Sequence, residues 1–142
     1  MAALRAGLAI RGLNPAESLA AIVNADERGL PMVWSTVGGT NPDAVTVFAA
    51  AAAKTRAIGM GTAIVPTYPR HPLVLASQVL VLESLAPGRF RLGIGPSHRT
   101  TIESMFGLRA IASGLEPTSV RAAGLVPARL SVAQIRIQIP TG

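Results

Sequence analysis

The sequence has no cysteine, so neither a disulfide framework nor thiolate chemistry is open to it. It carries little charge, 14% of its 142 residues, and few aromatics, 4%. Low charge beside 49% hydrophobic residues excludes an intrinsically disordered chain, which needs the opposite balance. Long apolar runs are missing too. The longest, near residues 44–53 and 57–66, are broken by Thr or Gly and fall short of the ~20 residues of a membrane-spanning helix. Arg5, Arg11 and Glu17 interrupt the first apolar runs, so no secretory core forms there. A soluble cytoplasmic protein with no membrane partner is expected. Acidic residues are also scarce, seven against thirteen basic ones, for a net charge of +6. The basic residues are scattered, with few aromatics to stack on bases, so ordinary surface charge is favoured over a nucleic-acid site.

What is present is a strand–helix rhythm. Residues 5–10 form a short apolar run, a first strand. Asn14, Pro15 and Glu17 then read as a helix start: N-cap, first helical position, and the capping-box partner three residues on. Leu19, Ile22 and Val23 follow at helical spacing, and Gly29 closes that helix. Residues 31–37 are β-branched and aromatic, a second strand. A second helix is expected over 43–56, with Val45, Phe48, Ala49 and Ala52 on one face and Asp43 in its first turn. Residues 57–65 are apolar on both faces, as a buried parallel strand should be. After a proline-rich loop, Pro72 opens a third helix through Leu75, Val79, Leu82 and Leu85, which Pro87 and Gly88 stop. Residues 89–95 give a fourth strand, and 98–106 a loop and short helix.

Strand starts near residues 5, 31, 57 and 89 leave room for one crossover helix each. The class is therefore α/β with a parallel sheet, either a barrel or an open doubly wound sheet. After residue 108 the rhythm stops. Prolines 117, 127 and 140 and glycines 114 and 124 interrupt any helix, and the alternation around Ile135, Ile137 and Ile139 reads as a half-exposed strand.

Ligands of parallel α/β proteins sit at the carboxyl ends of the strands. The loops there hold several polar or glycine-rich groups. Gly93, Gly95, Pro96 and Ser97 follow a strand and precede a helix, so their backbone N–H groups could hold an anion. His98 stands where the third glycine of a dinucleotide fingerprint belongs, and the fingerprint fails. His71 and His98, the two histidines, both fall in ligand-side loops. His71 is weighed towards capping the helix at Pro72; His98 is as well placed for acid–base work as for plain solvation. Ser35 and Thr36 end the second strand, beside Trp34, which is read as core. No carboxylate pair, metal-ligand spacing, nucleophile elbow or P-loop is present. From the residues themselves the reading stops at an α/β domain for a phosphorylated or flavin-like ligand.

Three blocks sharpen it: Gly59-Met60-Gly61-Thr62, Arg70-His71-Pro72, and Pro87-Gly88-Arg89-Phe90-Arg91-Leu92-Gly93-Ile94-Gly95. In order and spacing, residues 25–108 resemble the luciferase-like monooxygenase superfamily, which includes the coenzyme F-420-dependent reductases and dehydrogenases. The resemblance implies a TIM (β/α)8 barrel, of which this chain holds the N-terminal half: about four βα units over 1–108 and an irregular tail over 109–142. It implies a flavin- or F-420-dependent oxidoreductase or monooxygenase acting on a small molecule, with F-420 preferred over FMN and a homo-oligomer left open. It implies a non-prolyl cis peptide at Ala63–Ile64 supporting the cofactor ring, and cofactor contacts at Gly95, Pro96 and Ser97. Ser35, Thr36, His71 and His98 are the further ligand-side polar residues. Many F-420 members carry an acid and a His at the end of the second strand; here Ser35, Thr36 and Val37 stand there, so no catalytic residue is identified. The loss of acids and rhythm after 108 gives the expectation of a frameshifted tail. The alternatives are a non-catalytic fragment of such an enzyme and a small phosphate-binding α/β domain.

Overall fold

In the computed structural model the chain is described over residues 7–11, 14–37 and 41–109. Four parallel strands, β1 (Gly7–Ile10), β2 (Met32–Ser35), β3 (Gly59–Thr62) and β5 (Phe90–Arg91), form one sheet in the order β1-β2-β3-β5. A sequential order with one hand of crossover is that of a barrel wall; an open doubly wound sheet reverses its order at a switch point. The chain is thus an α/β protein whose sheet is part of a barrel. Beyond β3 and β5, a two-stranded parallel ladder of β4 (Val65–Pro66) and β6 (Ile94–Gly95) continues the wall.

The runs 57–65 and 89–95, read as two continuous strands, are each split. The Ala63–Ile64 peptide bond is cis, and the ladder resumes one residue later. Across the break, Thr62 replaces the missing ladder bonds. Its hydroxyl donates to the Gly93 carbonyl and accepts the Gly93 N–H, both at 2.9 Å. Gly93 lies so close that a Cβ there would overlap the Thr62 carbonyl.

Helices α1 (Pro15–Glu27), α2 (Ala44–Ala52) and α3 (Pro72–Leu85) cover one face of the sheet, and α4 (Arg99–Phe106) follows β6. The capping box of α1 is complete, with Asn14 and Glu17 exchanging bonds of 2.9 and 3.0 Å. Gly29 closes the helix at φ +72°. The second helix is shorter than the expected 43–56. Asp43 is its N-cap rather than a first-turn residue, and Thr55 bends its hydroxyl back onto Ala51 O at 2.7 Å as the chain leaves the helix. The third helix has the expected bounds, with Leu75, Val79 and Leu82 buried, but Leu85 is 48% exposed. It lies on an outer line with Leu73, Val74 and Val81, since this helix is apolar on both faces. The core lies between helices and sheet: Ile22, Val45, Phe48 and Leu82 pack over Val33, Met60 and Phe90. Phe48 and Phe90 meet edge to face, centroids 6.1 Å apart.

On the opposite face, Trp34 and Met32 lie flat across their neighbours. A Cβ on Gly59 would sit 2.6 Å from Met32 Sδ, and one on Gly61 would overlap the Trp34 ring. The Gly-x-Gly of β3 is therefore the space these two side chains occupy. Trp34 is half-buried on this inner face, not in the core where it was expected.

At the amino end of the sheet, charged groups bind the layers together. Asp26 accepts the backbone N–H groups of Arg56, Ala57 and Ile58 at 2.8, 3.0 and 2.7 Å. Arg89 reaches the Ala52 carbonyl at 3.2 Å and the Thr55 hydroxyl at 3.0 Å, a cation at the carboxyl end of α2. The arginine of the Pro-Gly-Arg-Phe block is thus a structural clamp. Residues 109–142, apart from Arg109, lie outside the described residues, and with them the strand pattern around Ile135.

Candidate functional site

The carboxyl ends of β2 to β6 gather the sequence-predicted residues into two groups. The first is the ledge around the cis bond. Ala63 N donates to Ser35 O at 2.8 Å, and Val37 N to Ile64 O at 3.2 Å, so β2 holds this segment from one side. On the other side the Ile64 side chain lies over Gly95; a Cβ there would stand 2.7 Å from Ile64 Cδ1. Thr67 N donates to Gly95 O at 2.9 Å. Ile64 and Gly95 are therefore in contact, Ala63 precedes Ile64 across the cis bond, and Pro96 and Ser97 follow Gly95 directly. Ser97 has φ +63°, the one non-glycine among the described residues in the left-handed region. That conformation costs roughly 1–2 kcal/mol for a residue with a Cβ. Ala63, Ile64, Gly95 and Ser97 are half-buried, an apolar surface with one hydroxyl and no charge. Such a surface fits the face of an uncharged ring.

The second group lines a small cleft between β1, β2 and the first turns of α1 and α2. Ser35 and Thr36 are in it, together with Arg11, Asn41 and Ser18, over a floor of Ile10, Ile22 and Phe48. In the sequence Asn41 reads as a helix-start residue closing a ligand-side loop and Arg11 as a charge that breaks the first apolar run; neither is among the candidate site residues.

The histidines join neither group. His71 is the N-cap of α3, its Nδ1 accepting Leu73 N at 3.3 Å, which is the capping role weighed for it. His98 takes the N-cap position of α4 without a side-chain cap bond and is exposed. A link that sequence reading missed joins two ligand-side loops: Arg70 Nη2 lies 2.6 Å from Asp43 Oδ1. Burial raises the Asp43 carboxyl, but the Thr46 hydroxyl and the Arg70 guanidinium outweigh it and hold the group below its ordinary range. Among the described residues no cluster of His, Asp or Glu could hold a metal ion, and no helix is long and apolar enough to cross a membrane.

This arrangement is a parallel α/β barrel wall with a glycine-rich strand end at the carboxyl side of its sheet. The family model for luciferase-like monooxygenases matches residues 3–118, and the chain belongs to that family. It is 37% identical over 103 positions to the F420-dependent glucose-6-phosphate dehydrogenase of Beutenbergia cavernae, covering 66% of this chain and 30% of that protein. The F420-dependent tetrahydromethanopterin reductase of Methanopyrus kandleri superposes with a TM-score of 0.63 at 29% identity, over 70% of this chain and 29% of that one. The oxygenating constituent of 3,6-diketocamphane monooxygenase from Pseudomonas putida, solved with FMN, has the same fold at a TM-score of 0.68 and 24% identity, over 79% of this chain and 35% of that one. The chain therefore spans about a third or less of the length of these relatives.

Proposed function

We propose that this chain carries the ring-supporting wall of a flavin- or deazaflavin-dependent oxidoreductase acting on a small molecule, with coenzyme F-420 preferred over FMN. The observation that carries this is the ledge: the Ile64 side chain lying over Gly95, with Ser97 in a left-handed conformation beside it. Ala63 and Ile64 would support the cofactor's ring, and Gly95, Pro96 and Ser97 would contact the cofactor. The cofactor, when bound, supplies the hydride or oxygen chemistry; the residues of this chain orient the ring and exclude water from one face. The F-420 preference rests on the relatives whose names specify that cofactor. We assign the cofactor wall to residues 1–108 and no catalytic acid or base to this chain. Ser35 and Thr36 remain ligand-side polar groups, while His71 is engaged in its helix cap.

Equilibrium titration of the purified chain with F-420 and with FMN tests the reading, followed by cofactor fluorescence and by emission of Trp34, the single tryptophan. Saturable binding with a lower Kd for F-420 is expected. Binding of neither cofactor overturns the reading; tighter binding of FMN overturns the preference. A second reading is a chain that keeps the fold and binds cofactor without turnover. Binding without turnover in the presence of oxidisable sugar phosphates or alcohols would support it.

A further inference from the structure

We infer that Asp43 and Arg70 form a positioning pair that fixes the loop of residues 67–71 against the ligand face, by joining the amino end of α2 to the segment that leaves β4. The inference rests on the cofactor reading above for its functional consequence, though not for its geometry. Asp43 divides its two oxygens between separate tasks. Oδ2 caps α2, accepting Thr46 N at 3.1 Å and the Thr46 hydroxyl at 2.6 Å. Oδ1 takes Arg70 Nη2 at 2.6 Å. The cap is thus complete without Arg70, and the second oxygen serves the loop. Arg70 extends the connection into α3, its Nη1 lying 3.4 Å from Gln78 Oε1. At its other end the loop is pinned by Thr67 N on Gly95 O at 2.9 Å. Between these anchors it runs from β4, directly beyond the cis bond, to the His71 cap.

An exposed ion pair would contribute little. This one is three-quarters covered, with side-chain exposures of 23% for Arg70 and 27% for Asp43, and it closes a contact between residues 27 apart in sequence. Partial burial strengthens the attraction, and the planar guanidinium fixes direction as well as distance. Releasing it leaves the loop held at Thr67 and at the His71 cap alone, and frees the residues between them. Arg70 and Asp43 touch no ring themselves; they act by holding the wall beside it.

The two roles of Asp43 can be separated, because Asn caps a helix as well as Asp does but carries no charge for Arg70. The full chain is compared as wild type, D43N, R70Q and D43N/R70Q by amide hydrogen exchange of the peptide covering 67–71, by melting temperature, and by Kd for F-420 and FMN. In D43N and R70Q, exchange in that peptide is expected to rise about tenfold and the melting temperature to fall slightly as the charge attraction is lost, while the α2 amides of D43N stay at wild-type protection. Each single variant should weaken the preferred cofactor about tenfold, and the double variant no further than either single one, as coupled residues behave. Unchanged exchange overturns the pair as a tether. Faster exchange with an unchanged Kd, in a wild type that binds, overturns its effect on the site. A wild type that binds neither cofactor overturns the cofactor reading, and the exchange measurements still decide the tether.

Discussion

Asp26 is an acidic residue near the end of a helix in the sequence, and nothing local distinguishes it from Glu27. Its role depends on a turn thirty residues later, where three successive backbone N–H groups point at one carboxylate. Desolvation raises this carboxyl, but the three N–H donors and the charge of Arg89 prevail and hold it below the ordinary range. A lowered native pKa means that the stabilisation is fully present above the unfolded value of about 3.9 and is lost as pH falls through the native one. Asp43 acts with the same sign. D26A is expected to cost about 1–2 kcal/mol at pH 7, after discounting for solvent around the bonds. That difference should shrink towards zero on acidification, which urea unfolding of both proteins at a series of pH values would check. Ser97 gives the opposite case. S97G relieves the left-handed backbone and should raise stability by up to about 1 kcal/mol. If the hydroxyl contacts the cofactor, S97G will weaken binding even as it raises the melting temperature; a variant both more stable and equally tight would remove Ser97 from the site.

The elements differ in how far they could be read. The third helix was legible to the residue, because Pro72 and the Pro87–Gly88 pair mark both ends chemically. The capping box of α1 was legible for the same reason. The split of the two apolar runs was not, since periodicity records which side chains are apolar and not where a ladder changes partners. The family resemblance located the cis bond; no physical reading of residues 57–65 could have. Nor did it reveal why Gly-x-Gly-Thr and Leu-Gly-x-Gly occur in fixed relation. The glycines of the first make room for Met32 and Trp34, and Thr62 bonds to Gly93 of the second. This gives a prediction for the join between β3 and β5. Thr62 is fully buried, and T62V keeps its shape while leaving the Gly93 N–H without its acceptor. A loss of about 1–3 kcal/mol is expected. G93A should be worse, because its Cβ would meet backbone at the Thr62 carbonyl rather than a side chain able to turn away. Chemical denaturation of both variants orders them; a G93A protein as stable as T62V would contradict this account of the join.

At the scale of the molecule, the sheet has two unlike faces. The helix side is closed by a continuous core, while the inner side is occupied at β2 by Met32 and Trp34, both half-buried, with glycine beside each on β3. A complete eight-stranded barrel closes that side with further layers of side chains. The four-stranded sheet described here has β1 and β5 at its margins. Trp34 is the single tryptophan of the chain, so its emission reports the inner face without interference. In the free chain a red-shifted emission, readily quenched by acrylamide, is expected. Bound F-420 or FMN at the strand ends should quench it in proportion to occupancy, by energy transfer to the ring. W34F should abolish the signal and leave cofactor fluorescence to report the same Kd. A blue-shifted Trp34 shielded from acrylamide in the free chain would show the inner face already covered in solution. Whether a second copy provides that cover would then be decided by whether the shielding disappears on dilution.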